Sequence, residues 1–220
     1  MRRLVPILIG AAVLALGGAW FFAPGSQSAR DLPQLGAANA QTVEAAETLE
    51  IEDMTLGEAG APVQIIEYAS YTCPHCRTFH EGAFKELKSE YIDTGLVEFV
   101  YREVYFDRFG LWASMVARCG GAERFFGITD LIYGQQSEWT QGQPAEIAAN
   151  LRRIGLTAGL SEAELDACFS DGEKAQSLVA WYEANAAEDG VRSTPSFIID
   201  GVRYGNMSMT EFREIIDGKL

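Results

Sequence analysis

The sequence is short of positive charge, cysteine and histidine. Its 220 residues include 17 Lys and Arg against 31 Asp and Glu, with only four Cys and two His. The net charge is −14, and it becomes −16 when residues 1–40, which hold three Arg and one Asp, are left out. Such an acidic surface repels nucleic acid and anionic lipid head groups, so we expect neither as a partner. The sequence also contains no repeat of fixed period.

Charge is missing altogether from residues 4–23, which follow Arg2 and Arg3. A helix of that length would span roughly 30 Å, the thickness of one hydrocarbon core. Positive charge before an apolar segment is typical of an export signal, which is either cleaved or kept as an inner-membrane anchor. Residues 38–40, Ala-Asn-Ala, fit a cleavage pattern but lie far beyond the apolar run. A buried soluble helix is the third interpretation. Both export interpretations place the remainder in the periplasm, where cysteines can oxidise.

Residues 24–48, rich in Ala, Gly, Ser and Gln, predict a flexible tether, and residues 49–220 are enough for one domain with a hydrophobic core. The apolar pattern there predicts strand, helix, strand, a long helical block, a hairpin and a last helix. We expect strands at 63–70 and 96–106, a helix from Pro74, helices through about 109–189, a hairpin turn at Asp200-Gly201, and a final helix capped by Ser208 and Glu211.

Two of the four cysteines lie in the sequence Cys73-Pro74-His75-Cys76, where the first strand gives way to a helix. Cys73 then occupies the N-cap, next to free backbone N–H groups and the positive end of the helix dipole. Both favour the thiolate and lower the pKa of Cys73. His75 can add a hydrogen-bond donor or a positive charge. Cys76 lies one turn into the helix, where it is shielded and can re-form the disulfide.

Two simpler explanations of the cysteine pair are weaker. A structural bridge across two residues at a helix start would be strained. A zinc site would need two more ligands, but the spacing of His75 turns it away from a shared tetrahedron and His80 is the only other histidine. No second Cys-x-x-Cys is present to complete the site, so we expect no metal.

A short strand leading directly into Cys-x-x-Cys at a helix start is the thioredoxin-like redox signature. The residues here resemble the DsbA branch of that superfamily, the exported dithiol oxidases. The features that match are the Cys73–Cys76 motif, Glu67 six residues before it, Thr194-Pro195 before a late strand, and the helical insertion. The resemblance covers roughly residues 55–220. It implies a thioredoxin-like α/β fold with an inserted helical domain at about 109–189.

The resemblance further implies that Pro195 is cis and faces the disulfide. The backbone of Thr194 is then free to pair with an extended substrate. Pairing by strand addition recognises backbone more than sequence, which suits an enzyme with many substrates.

Glu67 shares a predicted strand face with the apolar Val63 and Ile65. A carboxyl on that buried face should have a raised pKa and could exchange protons with Cys76. The alternative is a glutamate exposed at a sheet edge. The family often carries a lysine on the following strand near this acid, and here that stretch contains Arg102 and no lysine.

Cys119 and Cys168 are separated by 49 positions inside the helical block. Three interpretations are open: a structural disulfide, two buried free thiols, or a second redox pair. Some relatives resemble this chain in carrying an extra disulfide in the helical region, and closing a loop of that length would stabilise the fold.

The function predicted from these features is a periplasmic thiol oxidase without a cofactor, acting as a monomer on unfolded exported proteins that carry free thiols. Resemblance implies reoxidation by a quinone-coupled membrane partner. One alternative is a reductase or isomerase of the same fold, although residues 24–62 are too short for the dimerisation module that such isomerases generally add. A non-catalytic copper-binding module is another, hinted at only by Met207 and Met209.

Overall fold

The computed structural model of the protein describes residues 49–220. The predicted export segment at 1–23, the tether at 24–48 and the cleavage pattern at 38–40 lie outside the described residues. Within residues 49–220, no helix combines the length and the apolar character needed to cross a membrane.

A five-stranded mixed sheet forms the centre of the domain. Its spatial order is β1-β3-β2-β4-β5, with β2 parallel to β3 and every other neighbouring pair antiparallel. The strands are β1 (Met54–Leu56), β2 (Val63–Ala69), β3 (Val97–Glu103), β4 (Ser196–Ile199) and β5 (Val202–Tyr204). The predicted α/β thioredoxin-like fold is therefore confirmed.

Helices cover the sheet and form the predicted insertion, in which α3 to α8 run from residue 108 to residue 188. A π-helical turn, Lys88–Ile92, follows α2. The helices are α1 (Pro74–Glu81), α2 (Ala83–Leu87), α3 (Arg108–Cys119), α4 (Gly121–Gly134), α5 (Gln136–Trp139), α6 (Pro144–Thr157), α7 (Glu162–Ser170), α8 (Gly172–Glu188) and α9 (Met209–Asp217).

One strand was missed in the sequence analysis, and the end of another was predicted wrongly. The sequence analysis did not find β1, whose three residues are too few for an apolar pattern and which adds to the sheet by pairing with β3. Strand β3 also ends at Glu103, three residues before the predicted end at 106. The chain must turn there because Asp107 accepts hydrogen bonds from Phe109 N–H and Gly110 N–H and so begins α3.

The local signals at the C-terminal end were correct. Asp200 and Gly201 have φ angles of 45° and 79°, as a two-residue turn between β4 and β5 requires. Ser208 and Glu211 form a reciprocal capping box at the start of α9. The apolar face of α9 packs on the sheet through Phe212, whose ring centre lies 4.9 Å from that of Phe197 on β4.

The structure joins Cys119 and Cys168 in a disulfide that links the end of α3 to α7. Beside it, the buried Arg118 donates two hydrogen bonds of 2.7 Å to the carboxylate of Glu103 at the end of β3. Breaking such a buried pair from one side leaves an uncompensated charge. The disulfide and this ion pair together fasten the helical insertion to the sheet.

Removing the Cys119–Cys168 bridge should lower stability while most activity of the Cys73–Cys76 pair is retained. Closing a loop across 49 positions is worth about 4 kcal/mol in the loop-entropy account, and neither cysteine lies in the Cys73–Cys76 motif. Thermal unfolding of the Cys119→Ala/Cys168→Ala double variant measures the loss. The matched control is Cys73→Ala/Cys76→Ala, which keeps the bridge and should lose only about half as much stability, because the Cys73–Cys76 pair is worth about 2 kcal/mol. Unchanged stability together with lost turnover would show that the two pairs have the opposite roles.

Candidate active site

The turn from β2 into α1 fixes the positions of the two cysteines. Cys73 N–H donates to the carbonyl of Ser70 at 3.0 Å, and Cys73 then occupies the N-cap with an extended backbone, φ −83° and ψ 120°. Pro74 is the first helical residue, where its missing N–H costs nothing. Both thiols are free, and Cys76 is fully buried inside α1.

Cys73 is the thiol that ionises. Its pKa is lowered to about 5, chiefly because the thiol of Cys76 donates a hydrogen bond to the thiolate. Burial raises the pKa of Cys73 by less than the Cys76 hydrogen bond lowers it, and donation by Thr194 and by the backbone N–H groups of Cys76 and His75 lowers it further. At neutral pH Cys73 is therefore a thiolate and a ready nucleophile.

Cys76 is held in the opposite state. Burial, the hydrogen bond that it donates to Cys73 and the negative charge of Glu67 all raise the pKa of Cys76. It stays protonated until another group removes its proton. The two thiols of one motif thus have different tasks, and the difference follows from which of them lies outside the helix.

His75 affects Cys73 through its backbone N–H, while its imidazole is exposed to solvent, as is the ring of Pro74. The sequence analysis expected a donor or a positive charge from the His75 ring. In the structure, His75 lowers the pKa of Cys73 through its backbone N–H.

The segment before β4 completes the site from the far end of the chain. The Thr194-Pro195 peptide bond is cis, and the carbonyl of Thr194 lies 3.6 Å from Cys73 Sγ. The Thr194 hydroxyl is buried without a hydrogen-bond partner among residues 49–220, so it is free to donate to the thiolate. Sequence reasoning placed Thr194 and Pro195 at the site, and the structure brings both segments together.

Glu67 lies on β2 with its carboxyl fully buried, and desolvation raises its pKa. Arg102 is not its partner. The Arg102 guanidinium instead donates to both carboxylate oxygens of Asp53, each at 2.9 Å, and to the Tyr68 hydroxyl at 2.9 Å. Arg102 therefore does not take the place of the family lysine beside Glu67.

His80 is the residue that contacts Glu67, and sequence reasoning considered it only as a zinc ligand. Its Nε2 lies 2.8 Å from Glu67 Oε2, and both side chains are buried. A signal was available in the sequence: His80 follows Cys76 by four positions, so on a helix the two share a face.

Gln136 is a second residue that sequence reasoning missed. From α5 in the helical insertion, its buried amide donates to the carbonyls of Tyr71 and Cys73, at 2.8 and 3.0 Å. It anchors the main chain of the nucleophile to the insertion. No pattern in the sequence identifies this glutamine.

Across the described residues, no group of three or more His, Cys, Asp or Glu side chains is arranged to hold a metal ion. Met207 and Met209, the hint of a copper site, both pack against the hydrophobic core. Their thioethers serve packing.

The chain is similar to proteins that are named for disulfide chemistry. Residues 49–218 match the family model described as Thioredoxin. A Rickettsia bellii protein, provisionally named a protein-disulfide oxidoreductase, is 34% identical over 166 residues, which are 75% of this chain and 63% of that protein. The chain thus spans less than two thirds of that relative. Disulfide bond formation protein D of Bacillus subtilis is 24% identical over 175 residues, covering 75% of this chain and 76% of that protein.

The crystal structure of Wolbachia pipientis alpha-DsbA1 is similar, with a TM-score of 0.72 and 27% sequence identity. The likeness covers 78% of this chain and 92% of that one.

Thiolate absorbance at 240 nm in the reduced protein should titrate with a midpoint near pH 5, because the pKa of Cys73 is about 5. Cys76→Ala removes the strongest donor and should raise the midpoint by about one to two pH units, since a hydrogen bond to a charged group is worth about 1.5–3 kcal/mol. Cys76→Ser is the matched control, because its hydroxyl can still donate and should restore part of the shift. A wild-type midpoint near the ordinary thiol value would contradict the assignment of Cys73 as the nucleophile.

Proposed function

The chain belongs to the thioredoxin family and is DsbA-like in fold, and on this basis we propose that it is a thiol:disulfide oxidase. It donates the Cys73–Cys76 disulfide to exported proteins with free thiols. The observation that carries the proposal is the opposite displacement of the two thiol pKa values, with Cys73 lowered to about 5 and Cys76 raised. A stabilised thiolate favours the reduced enzyme, so the disulfide is readily given away.

The reaction proceeds in two exchanges. A substrate thiolate attacks Cys73 Sγ, the Cys73–Cys76 bond breaks, and Cys76 leaves as a thiolate that takes up a proton. The backbone of Thr194, next to Cys73, pairs with the extended substrate in the mixed disulfide. A second substrate thiolate then attacks the substrate sulfur of that bond. Cys73 leaves as the low-pKa thiolate, and the substrate departs with its own disulfide.

The size of the effect supports this direction. With a pKa of about 5, ionisation of Cys73 lies two pH units below neutrality. At about 1.4 kcal/mol per unit and some discount for solvent screening, the reduced form gains about 2 kcal/mol at pH 7. For a two-electron couple this corresponds to about 45 mV towards a stronger oxidant.

Export to the periplasm fits this chemistry, since donated disulfides persist only where the surroundings are oxidising. The Cys119–Cys168 bridge supports the same compartment. A quinone-coupled membrane protein is the reoxidising partner that the family resemblance implies, and action as a monomer is part of the proposal.

The redox equilibrium with glutathione tests the direction of catalysis. An oxidase should remain mostly reduced at Cys73–Cys76 even when most of the glutathione is disulfide, as measured by trapping with an alkylating reagent and mass spectrometry. Cys119→Ala/Cys168→Ala protein is the control, because it reports Cys73–Cys76 alone. A pair that stays oxidised in reducing mixtures would favour the reductase, and faster repair of a scrambled substrate than oxidation of a reduced one would favour the isomerase.

The stability difference between the two redox forms should depend on pH. The folded-state pKa of Cys73 is lowered to about 5, so its contribution is complete above the ordinary thiol pKa and is lost as pH falls through about 5. The oxidised form has no titrating thiol at Cys73, so its stability lacks this pH-dependent contribution. Closing the small Cys73–Cys76 ring stabilises the oxidised form by roughly 2 kcal/mol at any pH. We therefore expect the oxidised form to be the more stable at pH 5 and the reduced form at pH 8.

Denaturant unfolding of both forms across pH 5–8 measures this difference, with Cys119–Cys168 replaced by alanines so that reduction affects one pair only. The slope should approach 1.4 kcal/mol per pH unit. If the stability difference between the two forms does not change across this range, the Cys73 thiolate does not stabilise the reduced form.

A further inference from the structure

The buried pair of Glu67 and His80 has a geometry that packing alone does not require. The imidazole of His80 is 2% exposed and the Glu67 side chain is fully buried, with Nε2 2.8 Å from Oε2. The other carboxylate oxygen, Oε1, has no hydrogen-bond partner among the described residues. A buried carboxyl with one satisfied and one free oxygen is costly to keep unless the free oxygen has a use.

Aromatic rings hold the imidazole in place. His80 stacks on Tyr133 of α4, with ring centres 4.4 Å apart and planes 18° from parallel, and it contacts Phe84 at 4.6 Å. The Tyr133 hydroxyl is fixed in turn by Tyr101, at 2.7 Å, and by the carbonyl of Ser70, at 3.2 Å. The ring therefore cannot swing away from Glu67, and the pair is preorganised.

The surroundings of the pair contain one other group with a proton to exchange. The titratable groups that face it are Cys73 and Cys76 from the start of α1, Tyr101 from β3 and Tyr133 from α4. Burial raises the pKa of both tyrosines well above their ordinary value, so they stay neutral. Cys73 is already ionised at neutral pH, which leaves the thiol of Cys76.

We propose that His80 is the positioning residue for Glu67, and that the two side chains act as one unit which takes up and returns the proton of Cys76. This rests on the proposed exchange chemistry of Cys73 and Cys76. The hydrogen bond from His80 lowers the pKa of Glu67 against the effect of burial, so the carboxylate is easier to form than it would be in an apolar pocket. Without His80 the same carboxyl would hold its own proton and could not accept another.

Protons and electrons balance both when the Cys73–Cys76 disulfide opens and when it re-forms. When a substrate thiolate opens the disulfide, Cys76 leaves with an electron pair as a thiolate and receives a proton from the Glu67–His80 unit. When the disulfide re-forms, that unit takes the proton from Cys76. Cys76 Sγ then attacks Cys73 Sγ in a mixed disulfide, and the group previously bound to Cys73 leaves as a thiolate. Glu67 Oε1, which has no hydrogen-bond partner among the described residues, is the oxygen that is free to carry this proton.

The test measures the rate at which Cys76 attacks a mixed disulfide, the step in which Cys76 must first lose its proton. Full-length protein with both Cys119 and Cys168 replaced by alanine is converted to the mixed disulfide of Cys73 with glutathione. The release of glutathione by Cys76 is then followed from pH 5 to pH 9. In His80→Gln and His80→Phe the rate at pH 7 should fall about tenfold and should rise with each pH unit, as expected when hydroxide replaces the internal base. Phe212→Leu is the matched control, since it removes a buried ring that packs on Phe79 and Phe197 rather than on His80, and it removes no proton carrier.

Two further readouts separate proton exchange from packing. The infrared C=O stretch of protonated Glu67, identified by its absence in Glu67→Gln, should persist to higher pH in His80→Phe by about one unit or more. Glu67→Gln should reproduce the rate loss, and Glu67→Gln/His80→Gln should be no slower than either single variant. Such non-additivity is expected of groups that act as a unit.

The outcomes distinguish this inference from the proposed function. A folded His80→Gln protein with the wild-type pH profile of glutathione release would overturn the role of His80 while leaving Cys73 as the nucleophile. Additive losses in the double variant would do the same. A wild-type Cys73 that titrates near the ordinary thiol pKa would instead overturn the proposed oxidase, whatever the His80 variants show.

Discussion

The start of α1 between the two cysteines is the constraint on which the rest of the site depends. Because the helix begins at Pro74, Cys73 lies outside it as the N-cap and Cys76 lies inside it. The outer sulfur meets donors, and the inner sulfur is enclosed by core side chains. One helix boundary thus separates two chemically identical side chains into a thiolate and a thiol.

The other elements of the fold hold that boundary in place. Strand β2 delivers the chain to the helix start, and Thr194 approaches Cys73 from the segment before β4. The helical insertion supports the site through Gln136, whose amide holds the carbonyl of Cys73, and through Tyr133 under the imidazole of His80. The insertion is therefore part of the active-site architecture as well as a covering for the sheet.

The sequence analysis correctly predicted those parts of the structure that depend on a few adjacent residues. The Cys73–Cys76 motif, the turn at Asp200-Gly201 and the cap at Ser208 each depend on a few adjacent residues, and the structure has them where they were predicted. The fold class followed from the Cys-x-x-Cys at a helix start and from the family resemblance that this motif carries together with Glu67 and Thr194-Pro195.

The parts that were missed are determined by tertiary placement. Strand β1 exists only because β3 offers it an edge, and Gln136 matters only because α5 lies over the turn before α1. Arg102 shows the same limit, since alternation along β3 directs its side chain to Asp53 and away from Glu67. His80 was within reach of helical spacing, but its partner on β2 becomes visible only when helix and sheet are packed together.

The distance along the chain between Cys73 and Thr194, 121 residues, has a consequence for how the protein matures. Because the chain is made from its N-terminus, the Cys73–Cys76 pair emerges well before the segment that completes its site, and Cys119 and Cys168 follow in between. Four cysteines allow three complete pairings, and only one of them gives this molecule. The chain must therefore reach its own correct pairing before the Cys73–Cys76 pair can act on any other thiol.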